Sequence, residues 1–489
     1  MRRFQNYIDG RFEEGTSSFE SRNPATGEVW ATMPDAGHDG TDRAVKAAHR
    51  AFTDPAWTGL TPSQRGRLLY RLADLIAGNV AALAEIETAD TGKIIRETSA
   101  QIAYVAEYYR YYAGLADKIQ GAHLPLDKPD MEAWLRREPI GVVAAVVPWN
   151  SQFFLSAVKL GPALAAGCTI VLKASEEAPG PMLDFARLIH EAKFPPGVVN
   201  IITGFGAGCG ATLTSHPLVS RIAFTGGPET ARHVLRNSAE NLAVTSLELG
   251  GKSPIVVFAD ADIESAANAV VAGIFAATGQ SCVSGSRLLV QRGLKDPFLA
   301  RLARKAAGIR IGDPRKHETE MGPLATQRQR DRIERTVAAS IAAGAKLVAG
   351  GKRPQGFDHG FYYAPTILDC SGVNSPSADE ELFGPVLSVL AFDDEDDAVR
   401  LANSTPYGLA SGVFTRDVAR AHRMVRRIRA GIVWVNTYRA ISPIVPFGGY
   451  GLSGFGREGG LDSVLDYTRT KSVWLKTSDD PFPDPFVMR

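Results

Sequence analysis

The spacing of apolar positions changes character several times along the chain. Between residues 40 and 115, in "DRAVKAAHRAF", "QRGRLLYRLADLIAGNVAALAEIETADTG" and "QIAYVAEYYRYYAGLADKI", apolar residues recur every three to four positions. That period keeps one face of a helix apolar, so each of these segments is predicted helical. The next segment, "HLPLDKPDMEAWLRREPIG", interleaves charged, apolar and proline residues and reads as a hairpin arm rather than core. From 141 onward the runs "GVVAAVVPW", "TIVLKAS", "GVVNIITG" and "RIAFTGG" are short, rich in β-branched residues and lack alternation. Helical stretches separate them: "FLSAVKLGPALAAG", "PMLDFARLIHEA" and "GCGATLTSH".

Continuous apolar strands alternating with helices predict a parallel sheet covered on both faces. This is an α/β, Rossmann-like arrangement that binds dinucleotides at the carboxyl ends of its strands. A second α/β region contains "SRLLVQ", "PVLSVLAF", "SGVFT" and "GIVWVN", with the helix "TQRQRDRIERTVAASIAAGA" between the first two. The tail "SVWLK" is expected to be an edge strand pairing outside its own domain. The domain boundaries expected are 1–119 with 140–247 for cofactor binding, 248–450 for catalysis, and 120–139 with 466–489 as arm and tail.

A chain of 489 residues is too long for one simple core, in keeping with this division. The formal net charge of +1 predicts neither a nucleic-acid nor an anionic-membrane surface. Four cysteines without a CxxC pair argue against a disulfide framework or structural zinc and fit a reducing, cytoplasmic setting. The nine histidines show no metal-ligand spacing, and no metal is expected. The longest apolar stretch is shorter than the roughly 20 residues that span a bilayer, and the first residues lack the apolar core of a signal peptide.

Candidate chemistry begins at "ATGQSCVSGSRLLV", where Cys282 sits in a collar of Gly279, Ser281, Ser284 and Gly285. A structural cysteine is usually a small buried hydrophobe. A nucleophilic one needs room for a carbonyl and nearby N–H donors for the oxyanion. "GFGAGCG" at 204–210 follows a strand and precedes a helix, yet it comes after the third parallel strand and lacks the acidic residue expected about 20 positions later. "FTGGPETA" is the better anion site, because Gly226 and Gly227 let the backbone approach a ligand just before a helix N-terminus.

At this point the chain resembles the NAD(P)-dependent aldehyde dehydrogenase superfamily, in its hydrolytic branch. "PWN", "LKASEEAP", "FTGG", "LELGGKSP", "GQSC", "EELFGPV" and "PFGGYGLSGFGRE" occur in that family's order over nearly the full length. The resemblance implies oxidation of an aldehyde to its carboxylate with NAD, NADP being the weaker alternative. It implies Cys282 as nucleophile, Glu248 as the base that activates the deacylating water, and Asn150 as oxyanion donor. Lys159 and Glu458 match a proton relay. Lys173 and Glu176 match contacts to the adenosine ribose, and Gly226 and Gly227 the pyrophosphate site. Glu381 and Phe383 match residues around the nicotinamide ribose and ring. Val147, Pro148, Trp149, Gly206, Thr225 and Leu249 complete the implied cofactor contacts. A homodimer or a dimer of dimers is implied through the arm and tail.

The alternative function is a cysteine-dependent hydrolase or acyl transferase without redox chemistry, but no histidine lies in the motifs to serve its thiol. Ser151 and Gln152 depart from the aromatic residue and proline often found after the asparagine, and Ala231 replaces a common glycine. Ser151, Val158 and Ile441 occupy the positions of an aromatic cage that holds trimethylammonium aldehydes by cation–π attraction. None is aromatic, although Phe153, Phe154 or Tyr438 offer partial replacements. Arg439 near the same entrance would repel a cation. Neutral or carboxylate-bearing aldehydes are therefore expected to be better substrates than betaine aldehyde.

Overall fold

The computed structural model describes residues 1–15, 17–482 and 484–487. Positions 483, 488 and 489 of the expected tail lie outside the described residues. Two large sheets organise the chain. In the first, the strands run in the order Gly454–Phe455, Val244–Glu248, Val219–Thr225, Val142–Val147, Thr169–Ala174, Val199–Thr203, Asn6–Ile8 and Arg11–Glu13. The middle five are parallel, and the outer strands join antiparallel.

Alternation along the strand Val142–Val147 shows why this sheet is buried twice. Val143, Ala145 and Val147 pack into one core with the helices Pro62–Gly78, Ile95–Leu115 and Gln152–Ala166. Val142 and Ala144 point the other way, into a core with the helices Gly37–Thr53 and Pro228–Asn241. Successive side chains of a strand face opposite sides, so a sheet covered twice needs an unbroken apolar run.

The second sheet has the order Lys346–Ala349, Thr366–Asp369, Val386–Phe392, Arg287–Gln291, Pro254–Val257, Ala410–Phe414 and Ile432–Val435. All its pairs are parallel except the first. A third, smaller sheet is antiparallel: the tail strand Thr468–Lys476 lies along Met131–Pro139, which in turn pairs with Ala122–Leu124. The tail strand is the sheet's edge, and Trp474 and Leu475 on it are exposed.

Two local expectations change. The run read as one helix from 64 to 92 is two, Pro62–Gly78 and Val80–Thr91. Between them the Asn79 amide donates to the Leu75 carbonyl at 2.8 Å, a local bond that competes with helix continuation. The short N-terminal strands, including Arg2–Arg3, Ser17–Arg22 and Val29–Asp35, carry too little periodicity to be seen in the sequence.

The contact between helices Ile95–Leu115 and Gln152–Ala166 depends on a glycine. A Cβ on Gly161 would lie 2.3 Å from the fully buried Tyr112 ring. Gly161→Ala is expected to lower the unfolding free energy by about 1–3 kcal/mol through overpacking, measured by urea unfolding. Stability equal to the parent chain would show that Tyr112 yields without cost.

Candidate active site

The strand Val142–Val147 runs out into Pro148, Trp149 and Asn150 before the helix Gln152–Ala166 begins. Asn150 is buried, and its Nδ2 donates to the Gln280 carbonyl at 3.0 Å. That bond joins the first sheet to the loop carrying Cys282. The loop starts where helix Ile263–Phe275 ends, in a left-handed turn with φ of 52° at Ala277, 55° at Thr278 and 71° at Gly279. A left-handed non-glycine residue costs roughly 1–2 kcal/mol, so outside contacts must hold the turn. Both Glu97 carboxylate oxygens accept from the Ala277 N–H, at 2.9 and 3.1 Å. The Thr278 hydroxyl donates to the Gly322 carbonyl at 3.1 Å, and Gln280 Oε1 accepts from the Ala325 N–H at 2.9 Å.

The small collar around Cys282 is also a packing requirement. A Cβ on Gly279 would lie 2.2 Å from the Gly384 carbonyl oxygen, and one on Gly285 would lie 2.3 Å from Ile255. Ser284 is buried and donates to the Gly279 carbonyl at 2.9 Å. Packing of the loop therefore requires small residues at these three positions.

Cys282 is a free thiol, partly exposed. Burial of its sulfur, then the negative charges of Glu381 and Glu248, push the thiol up to about 12. Glu248 ends its strand almost fully buried, and neither carboxylate oxygen has a hydrogen-bond partner among the described residues. Burial and then the charge of Glu458 raise it well above the usual carboxylate range, against the pull of Lys159 and Arg457. Gly448 makes room for this group, since a Cβ there would lie 2.7 Å from Glu248 Oε1. Behind it, Lys159 is fully buried, pairs with Glu458 and donates to the Thr225 hydroxyl at 2.7 Å.

The remaining predicted residues line the carboxyl ends of the first sheet or face them from the second. Lys173 donates to Glu176 at 3.1 Å, and its stem lies 3.8 Å from the position a Gly210 Cβ would take, which brings the "GFGAGCG" turn beside it. Gly206 and Gly227 open onto free space, with nothing within 4 Å of an added Cβ. Gly227 caps the helix Pro228–Asn241. Gly226 differs: a Cβ there would meet the Phe224 ring at 2.5 Å, so packing also requires a glycine here. Leu249 is buried, and its N–H donates to the Ser453 carbonyl. Trp149 meets Phe383 edge to face, with ring centres 5.6 Å apart. Glu381 folds against Gly250 and accepts from the Gly251 N–H at 2.9 Å; burial raises it to about 7. The open glycines, the free helix start and the Lys173–Glu176 pair fit a dinucleotide lying along this edge.

Next to the cluster packed against Cys282 is a small cavity of about 50 Å³. Ile432, Trp434 and Phe447 line it and also belong to the cluster packed against Cys282. Tyr108, Phe154, Val158 and Ile441 complete its apolar wall. Its aromatic side chains are Tyr108, Phe154, Trp434 and Phe447. Of the suggested replacements, Phe154 lines the cavity. Phe153 is buried against Phe185, and Tyr438 packs on Trp434 and donates to the Val283 carbonyl. Arg439 donates to the Ala272 and Ala276 carbonyls, so its guanidinium closes the end of helix Ile263–Phe275. Sequence reading missed Lys93, Glu97, Gly448, Tyr108 and Trp434. Lys93 alone carried a local signal, a lysine placed directly after the glycine that ends a helix.

The profile described as Aldehyde dehydrogenase family matches residues 12–473. The chain belongs to the aldehyde dehydrogenase family. It is 66% identical over 490 residues to (Z)-2-((N-methylformamido)methylene)-5-hydroxybutyrolactone dehydrogenase of Acinetobacter baylyi, covering 100% of both chains. The solved structure of PnpE in complex with nicotinamide adenine dinucleotide is 42% identical and superposes with a TM-score of 0.96, covering 99% of each chain; PnpE comes from Pseudomonas sp. WBC-3. A point mutant of betaine aldehyde dehydrogenase from Staphylococcus aureus in complex with NAD+ is 36% identical, with a TM-score of 0.96 over 99% of each chain. This aldehyde dehydrogenase is an NAD-dependent oxidoreductase, which decides against the redox-free alternative. No helix among the described residues is long and apolar enough to cross a membrane.

The burial of Glu248 has a measurable consequence for stability. Its pKa is higher folded than unfolded, so between the two values the folded chain binds more protons and stability falls as pH rises. Glu248→Gln removes that term. Its thermal midpoint relative to the parent is expected to climb as pH rises above the ordinary carboxylate range, and to converge with the parent in acid. A constant difference across pH would show that the carboxylate is ionised in the fold.

Proposed function

We propose that Cys282 is the nucleophile, Glu248 the general base and Asn150 the oxyanion donor of this dehydrogenase. The observation that carries the reading is Glu248, a buried carboxylate with both oxygens unpartnered among the described residues and close enough to act on the thiol. The Cys282 thiol loses its proton to solvent, the thiolate sulfur bonds to the aldehyde carbon, and the carbonyl π electrons move onto oxygen. The Gln280 carbonyl uses one N–H of the Asn150 amide; the other faces the new oxyanion together with the Cys282 backbone N–H. Losing one such donor costs about 10²–10³ in rate. When bound, the nicotinamide accepts the hydride, leaving a cysteine thioester. Glu248 then takes a proton from the water that attacks the thioester, the C–S bond breaks, and the carboxylate leaves. Lys159 and Glu458 pass that proton onward.

In this reading Lys173 and Glu176 hold the adenosine ribose, and Gly206, Thr225, Gly226 and Gly227 the pyrophosphate. Val147, Pro148, Trp149 and Leu249 line the cofactor's path, while Glu381 and Phe383 serve the nicotinamide end. Residues 1–119 and 140–247 form the cofactor unit, and 248–450 the catalytic unit. The edge strand Thr468–Lys476, with Trp474 and Leu475 exposed, supports a homodimer or homotetramer, since an unpaired strand edge invites pairing. Four free thiols are in keeping with a reducing cytoplasm.

For the substrate, we favour an aldehyde derived from a hydroxylactone, on the strength of full-length similarity to the butyrolactone dehydrogenase. A 5-hydroxybutyrolactone is the closed form of a 4-oxo acid, so ring opening presents both an aldehyde and a carboxylate. The mainly apolar cavity suits the neutral ring, and its aromatic walls leave betaine aldehyde as the competing substrate to exclude.

Three outcomes are expected. With NAD and a panel including 4-oxobutanoate, 5-hydroxybutyrolactones and betaine aldehyde, NADH forms fastest with the first two; betaine aldehyde in the lead would overturn the substrate class. Cys282→Ala abolishes turnover, whereas Glu248→Gln gives one burst of NADH and stalls; steady turnover in Glu248→Gln would sink the base assignment. Because the thiol and Glu248 both have raised pKa values and react as anions, kcat/KM rises from neutral to alkaline pH.

A further inference from the structure

Two charged side chains outside every motif hold the backbone on either side of the Asn150–Gln280 hydrogen bond, at Asn150 itself and at Ala277. Both come from the junction between helices Val80–Thr91 and Ile95–Leu115. Lys93 is buried, and its ammonium donates to Glu87 Oε1 at 3.0 Å, to Gln101 Oε1 and to the Asn150 backbone carbonyl at 3.3 Å. An ammonium has three N–H bonds, so the group is fully used and its direction fixed. Glu97, four residues on, accepts the Ala277 N–H with both oxygens, and Ala277 opens the left-handed turn that delivers Gln280. Neighbouring bonds fix the junction itself: the Ile95 N–H donates to the Pro314 carbonyl at 2.8 Å, and Arg96 donates to the Thr319 carbonyl at 2.9 Å.

We propose that Lys93 and Glu97 are paired positioning residues that set the Asn150 amide against Cys282. Lys93 holds the amide's own residue through its backbone, and Glu97 holds the turn leading to the carbonyl that orients the amide. One rigid junction therefore registers both halves of the oxyanion site, which lie on different sheets. Glu97 satisfies the Ala277 N–H with a carboxylate, and a charge-assisted bond is the stronger kind for maintaining a turn that the backbone disfavours. The proposal rests on the reading of Asn150 as oxyanion donor.

The test is a double-mutant cycle on single-turnover NADH formation, with NAD in excess and 4-oxobutanoate as the probe aldehyde. Displacing a reacting group by about 1 Å can cost on the order of 10²-fold. Glu97→Ala is therefore expected to slow the step about 10- to 100-fold while leaving KM for NAD unchanged. In the Asn150→Ala background the same change is expected to cost little more, because the group it positions is gone. Glu97→Gln keeps one acceptor oxygen and is expected to recover most of the rate; it carries the cycle should Glu97→Ala not fold. Lys93→Gln, combined with Glu87→Gln so that no buried charge is left alone, should show the same coupling to Asn150. Full multiplicative losses in the Asn150→Ala background, or a parental rate in Glu97→Ala, would overturn the positioning role. A parental rate in Asn150→Ala itself would instead overturn the donor assignment beneath it.

Discussion

The hydrogen bond from the Asn150 amide to the Gln280 carbonyl spans 130 residues of sequence and ties the first sheet to the cysteine loop. Nearly everything at the site is arranged around it. The amide leaves the carboxyl end of a buried parallel strand, where backbone position is set by hydrogen bonds on both sides. The carbonyl sits on a loop that would not keep its shape alone, having two consecutive non-glycine residues in the left-handed region. Contacts from Glu97, Gly322 and Ala325 hold that loop. An interior packed this closely deforms little, so the thiol inherits its position from both sheets at once.

The electrostatics follow from the same compactness. Two buried carboxylates, Glu248 and Glu381, act on one thiol and raise its affinity for a proton. Their circumstances differ. Glu381 has a backbone N–H to accept from, while Glu248 has no partner among the described residues. A buried group without a partner costs stability, and a fold retains such a group where proton transfer needs it. Gly448 shows how narrow the provision is, because a single added carbon would collide with the Glu248 carboxylate. The chain thus places a carboxyl group where water is scarce and leaves its oxygens available.

Much of this was legible in the sequence. The apolar strands from 142 to 225 announced a sheet buried on both faces, and the structure places them there in parallel. The arm and tail strand were visible as a change from core-like to mixed patterning. Cys282, Glu248 and Asn150 stood in short motifs, and the fold brings them to one place. What the sequence hid were matters of contact. Gly226, Gly279 and Gly285 looked like openings for a ligand, but the sequence did not show that Phe224, the Gly384 carbonyl and Ile255 also leave no room for a side chain there. The cavity's aromatic wall comes from Tyr108, Phe154, Trp434 and Phe447, positions no local pattern connects. Lys93 and Glu97 lie in and just after the junction of two helices, where the apolar period says nothing of a carbonyl 57 residues away or an N–H 180 residues away.

The pair between Lys159 and Glu458 sets an order of events during synthesis. The two residues are 299 positions apart, and the strand Gly454–Phe455 that brings Glu458 near also completes the edge of the first sheet beside Val244–Glu248. Until the ribosome has made that late segment, the ammonium of Lys159 lies in an apolar helix without its carboxylate, and the neighbouring strand keeps an open edge. The emerging chain must therefore hold an unfinished sheet through most of its translation, when exposed edges are most prone to wrong pairing. Final closure is a late, long-range step, so a nascent chain cut short before residue 454 contains Cys282, Glu248 and Asn150, yet lacks the partner of Lys159 and the edge strand beside Glu248.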